Sequence, residues 1–238
     1  MRFCWILLAL YPINLTINIK GKFLSMEQTK FNKPFFNDVE SIKIKDPLAI
    51  ALGAMDKNEA FVFSYTDAVK LAGHSCPAVS GAYKLTQLAL KSLYGNEIPT
   101  RGQIGVIFKG GINYKVNGPI SQVVTLITGA SGESGFKGLG GGRYNRQNLL
   151  SFDETEEADE DAVCTVIFER MDNNKKIEIS YSNYMLPANP KMGDLMPLAV
   201  TGKGTDAEIK EFGELWHDRI KTVLMNPPKG MFVIKELK

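Results

Sequence analysis

Two histidines and three cysteines are all that this 238-residue chain holds. One of each, His74 and Cys76, stand a single serine apart in "LAGHSCPAVSGAYKLTQLALKSLYG", residues 71–95, and Pro77 follows at once. Proline fits the first position of a helix, where its missing N–H is no loss, so Cys76 falls at the N-cap. Unsatisfied amides and the dipole at a helix N-terminus favour a thiolate, and a neighbouring imidazolium favours it further. A thiolate is both a nucleophile and a soft metal ligand, and histidine is its usual partner on zinc. His74 and Cys76 are therefore the candidate catalytic pair and equally the candidate metal ligands. The plain alternative is an inert cysteine packed in a core helix.

Other chemistry-bearing residues read more simply. Cys164 lies between Val163 and Thr165 in a strand-like run, and alternation places it with Ala162 and Val166 on a core face. His217 stands beside the apolar stripe of the last helix, next to Asp218 and Arg219, and reads as a surface histidine and not as an essential ligand. The glycine-rich run from Gly129 to Gln147 carries Lys137, Arg143 and Arg146. Its amides and cations suit an anion, yet it has neither the Gly-Lys-Ser/Thr ending of a P-loop nor a dinucleotide fingerprint. A mobile loop covering a pocket is its other reading.

The elements that must position these residues follow from periodicity and stop signals. "PLAIALGAM", residues 47–55, opens a helix after Asp46; "AFVFSY", residues 60–65, is a short strand; Thr66 and Asp67 cap a brief helix that stops at Gly73. In the motif helix Val79, Ala82, Leu85, Ala89 and Leu93 recur at three- and four-residue steps up to Gly95, which marks one buried face. "QIGVIFKGG", residues 103–111, is strand-like, whereas "SQVVTLITGA", residues 121–130, fits a strand or a buried helix. After "NLLSF" an acidic run, residues 153–161, reads as a solvated linker. Residues 162–183 read as a hairpin turning at Asp172, Asn173 and Asn174, and the proline-dense residues 185–197 as a loop. Thr205 and Glu208 form a capping box for a last helix striped by Ile209, Phe212, Trp216, Ile220 and Val223 and ended by "NPP". These elements predict a single α+β domain with a mixed sheet covered by helices.

Composition narrows the function classes. Lysine and arginine exceed aspartate and glutamate by 28 to 26, and no basic stripe carries interleaved aromatics, which argues against nucleic acid as a partner. Cys4, Cys76 and Cys164 are odd in number and widely spaced, so reduced thiols in a cytoplasmic protein are expected, and any metal site must use mixed ligands. "MRFCWILLALY" is apolar but short for a membrane span and has no small-residue cleavage site after it. Residues 1–25 are read as an N-terminal extension and residues 26–238, from the polar start at Met26, as the domain.

"GHSCPAVSGAYKLTQLAL" resembles the Gly-His-x-Cys-Pro-Gly helix start of the FmdE family of formylmethanofuran dehydrogenase subunits, small α+β proteins that bind zinc near that motif. The match comprises Gly73, His74, Cys76 and Pro77, and "LITGASGESGFKGLGGG" follows in the family's order, so the resemblance spans roughly residues 60–155. Ala78 replaces the motif's glycine, and Ala130 stands where relatives carry a cysteine after Thr128 and Gly129. The resemblance implies zinc held with His74 and Cys76, in an accessory or redox-related role. Two other classes stay open: a metal-free thiol enzyme with Cys76 as nucleophile and His74 as base, and a non-catalytic module for a small-molecule ligand. No membrane partner is expected, and a homo-oligomer is left open.

Overall fold

A computed structural model of the protein describes residues 15–17, 23–25, 27–156, 158–186 and 189–238. The chain divides into two units, Met1–Lys33 and Pro34–Lys238. In the first, β1 (Leu15–Ile17) and β2 (Phe23–Ser25) pair antiparallel, with Leu15 opposite Ser25. The other residues of the 1–25 extension lie outside the described residues.

The second unit is α+β. A 3₁₀ turn (Pro34–Asp38) leads to β3 (Ile42–Ile44), which pairs with β4 (Phe61–Phe63) around α1 (Pro47–Ala51). Helices α2 (Tyr65–Ala72) and α3 (Pro77–Tyr94) follow, then β5 (Ile104–Lys109) and α4 (Asn117–Thr128). β6 (Leu150–Asp153), β7 (Cys164–Arg170), β8 (Lys175–Tyr181), α5 (Lys191–Thr201), α6 (Asp206–Met225) and β9 (Phe232–Leu237) complete it. The main sheet has the order β6-β5-β7-β8-β9, parallel only between β5 and β6, and is therefore mixed.

Alternation decides which sheet face is buried. Val106, Phe108, Val166, Phe168, Ile177, Ile179 and Tyr181 are all sealed from solvent, and α3, with Ala82, Leu85 and Ala89 equally sealed, lies on that face. α4 and α6 pack against α3. Burial of this many large apolar side chains, at about 1.5–3 kcal/mol each, is what fixes α3 on the sheet and with it the direction of the helix start.

Residues 121–130, which fit a strand or a buried helix, form the helix and its stop: Ile120, Val123, Val124 and Ile127 are buried at helical spacing, and Gly129 ends it with φ 74°. Their β-branched content makes a strand equally plausible from sequence. α2 is capped by Ser64, ahead of Thr66, because the Asp67 carboxylate accepts the Ser64 N–H at 2.8 Å. The proline-dense stretch is partly helical, since Pro190 takes the N-cap and α5 carries Pro197 within it. β3 and β9 escaped notice because each is short or exposed, β9 being a sheet edge with little burial. The hairpin of β7 and β8, the Thr205–Glu208 capping box and the Gly73 and Gly95 stops lie where the sequence put them.

Candidate functional site

The turn between α2 and α3 carries the two residues of interest. Cys76 is the N-cap of α3 in extended conformation (φ −147°, ψ 170°), with Pro77 at the first helical position and no side-chain capping bond. Its thiol is thus not consumed by the helix it starts. Ser80 N–H closes the first turn on the Cys76 carbonyl at 2.9 Å, so the amides of Ala78 and Val79 have no intrahelical acceptor. His74 is exposed, and its Nδ1 lies 2.9 Å from the Ala72 carbonyl. A carbonyl can only accept, so Nδ1 carries the proton in that contact, and in the neutral ring Nε2 then holds the lone pair.

His74 and Cys76 line one pocket of about 330 Å³ together with Leu71, Ala72, Ala78, Val79, Pro119, Gln122 and Val123. The floor is apolar: Val79 and Val123 are buried. α4 supplies the opposite wall through Pro119, Gln122 and Val123. A larger cleft of about 480 Å³ beside Gly110, Tyr114 and Glu154 holds no histidine or cysteine, and size alone does not make it the better site.

Four anchors fix the turn. Trp216 Nε1 donates to the Ser75 carbonyl at 2.9 Å, reaching across from α6. The Tyr65 hydroxyl meets Ser75 Oγ at 2.7 Å, and the Tyr181 hydroxyl donates to the Pro77 carbonyl at 2.9 Å. Ser80 Oγ donates to the Cys76 carbonyl at 3.0 Å. Burial pushes both tyrosine hydroxyls well above their usual range, a negative charge on Cys76 would push them in the same direction, and so both keep their protons. The backbone around Cys76 is held from α2, α3, β8 and α6 at once, which is the preorganisation that a reacting or binding group needs.

None of these anchors was named from sequence. Gly81, in the middle of a helix, was the available signal: a Cβ there would overlap the Tyr181 ring, so only glycine lets β8 bring that hydroxyl to the helix start.

The remaining candidates fall elsewhere. Cys164 is fully buried in β7, and burial drives its thiol far above the usual range, in keeping with core packing. His217 is half-buried and not at the surface: its ring centroid lies 5.9 Å from that of Phe36 and 6.5 Å from that of Phe35, and Nδ1 meets the Gly213 carbonyl at 2.8 Å. The glycine-rich loop neither lines the pocket nor opens toward an anion there. It closes on itself through a Leu139–Arg143 bridge, and Arg146 turns inward to Asp46 at 2.6 Å. Ala130 is buried beyond the far end of α4. Val123 is the last α4 residue on the pocket wall, and Thr128 ends that helix five residues later, about 8 Å along the axis. The position at which relatives of the resembled family carry a cysteine is therefore not part of the pocket wall.

Zinc sites use three or four protein ligands. Among the described residues no group of three histidine, cysteine, aspartate or glutamate side chains is placed to hold a metal ion, so His74 and Cys76 are two donors without a third. They do not amount to a resident zinc site by themselves. Also among the described residues, no helix is long and apolar enough to cross a membrane. Compared with known proteins, the chain matches no family model and no curated protein.

Proposed function

We propose that the protein is a thiol-dependent small-molecule protein in which Cys76 engages a compact, largely apolar ligand and His74 serves as its proton partner. One observation carries this reading: His74 and Cys76 line the same apolar pocket, at the start of a helix whose turn is anchored from four elements. A pocket of about 330 Å³ suits a ligand at the small end of the usual range. The chemistry suggested by the residues is addition of the Cys76 sulfur to an electrophilic carbon. His74 Nε2 accepts the thiol proton, and the amides of Ala78 and Val79 lie at the end of α3 where negative charge on the ligand is favoured.

The resemblance of residues 60–155 to the FmdE family would make zinc the alternative occupant, with His74 and Cys76 as two of its ligands. A metal and a reactive thiol leave opposite marks on Cys76, because coordination shields the sulfur.

His74→Ala tests the pair. Site-resolved mass spectrometry after iodoacetamide treatment of native protein should show Cys76 labelled about tenfold or more slowly in the variant, while Cys164 stays unlabelled in both. Equal labelling of Cys76 with and without His74 would remove the proton-partner role.

A further inference from the structure

Another cleft, of about 360 Å³, lies between α6 and the start of α5, and Arg219, Asp218, Leu215, Thr222, Asn189 and Met192 line it. Arg219 is half-buried, and its Nε is fully occluded without a hydrogen-bond partner. Among the described residues no carboxylate forms an ion pair with it. Its neighbour Asp218 lines the same cleft but is exposed and makes no ion pair with it. The occluded Nε is out of reach of a ligand, so what the cleft offers an anion is a guanidinium that lines its wall and has no carboxylate of its own.

The rest of the wall narrows the anion. Met192 is buried and Leu215 half-buried, which gives an apolar side next to the cation. The Thr222 hydroxyl donates to the Asp218 carbonyl at 2.9 Å, so its proton is taken. Asn189 Oδ1 accepts the Lys191 N–H at 3.0 Å, leaving the Asn189 amide N–H groups as further donors at the rim. The Asp218 carboxylate in the same cleft repels any anion and a doubly charged one about twice as strongly, which favours the ligand of lowest charge that still pairs with Arg219. One cation, amide donors, an apolar side and one repelling carboxylate describe a receptor for a singly charged head on a short hydrocarbon body.

We propose that this cleft binds small amphipathic monocarboxylates, with the carboxylate on Arg219 and the chain against Met192 and Leu215. The site is separate from the Cys76 pocket, with which it shares no lining residue.

Calorimetric titration of the full chain at low ionic strength tests it with three probes: hexanoate, hexanol and inorganic phosphate. Hexanoate should bind, and Arg219→Gln should weaken it about tenfold to a hundredfold, the loss expected for a charge-assisted hydrogen-bond pair. Arg219→Lys should retain part of the affinity, because charge remains while the fork geometry is lost. Hexanol and phosphate should each bind at least about tenfold more weakly than hexanoate. Equal hexanoate affinity in wild type and a folded Arg219→Gln would overturn the proposal. So would hexanol binding as well as hexanoate, phosphate binding more tightly than hexanoate, or no hexanoate binding at all.

Discussion

Asp46→Asn lowers the stability of the protein by about 3–5 kcal/mol, measured by urea unfolding, and the melting temperature by on the order of 10 °C. Asp46 is 5% exposed and pairs with Arg146, 7% exposed, at 2.6 Å and with Arg101 at 3.4 Å. One carboxylate thus serves two guanidinium groups, and Arg146 Nη1 already lacks a partner. Burial and the nearby Arg146 charge lower the Arg101 pKa, with Asp46 pulling it the other way. Asparagine caps a helix as well as aspartate does, so the bond that the Asp46 side chain accepts from Leu48 N–H at 3.0 Å survives the change. What remains is the removal of the one negative charge, which leaves the buried Arg146 guanidinium beside the half-buried Arg101 with no carboxylate between them. Loss of less than about 1 kcal/mol would show that water reaches the cluster and screens it.

Gly81→Ala destabilises the fold by about 3 kcal/mol, the upper end of the usual overpacking penalty. The Tyr181 ring occupies the space a Cβ would need, and it cannot retreat, because Phe232 stacks on it with centroids 4.8 Å apart and planes 12° from parallel. Either α3 lifts from β8 or the ring turns, and in both cases the Tyr181 hydroxyl leaves the Pro77 carbonyl. The variant should therefore also alter the rate at which Cys76 is alkylated, a readout that a purely structural defect far from the turn would leave alone. At an unconstrained helical position the same substitution gains about 1 kcal/mol from helix propensity. A stabilised Gly81→Ala protein would mean that the contact between ring and helix is looser than described.

The helix start at Cys76 and Pro77 was legible because it is written locally: a proline at the first helical position, a glycine stop on each side and apolar residues at helical steps. That His74 and Cys76 share a pocket was half legible, since two residues separated by one serine cannot lie far apart. The other wall was not, because Pro119, Gln122 and Val123 belong to α4, whose β-branched run carries no sequence mark of where it packs. Trp216 and Tyr181 act on the turn from 141 and 104 residues away, and such contacts are set by tertiary packing, not by pattern. The glycine-rich loop misled for the same reason. Its arginines look available to an anion in sequence, yet Arg146 finds a carboxylate 100 residues away and is sealed beside it. β9 was missed because an exposed edge strand shows almost no alternation of burial.

Everything proposed for the pocket depends on Cys76 being an accessible, metal-free thiol in a preorganised apolar site. Native protein purified without added metal, treated with iodoacetamide at neutral pH and read by peptide mass spectrometry, tests this most directly when run with and without a chelator and again in denaturant. Cys76 should be labelled under native conditions at a rate the chelator does not change, while Cys164, sealed in β7, is labelled only after unfolding. Slow native labelling of Cys76 that a chelator accelerates would place a metal on the sulfur, and labelling that waits for denaturant would make Cys76 a structural residue; either result contradicts the claim.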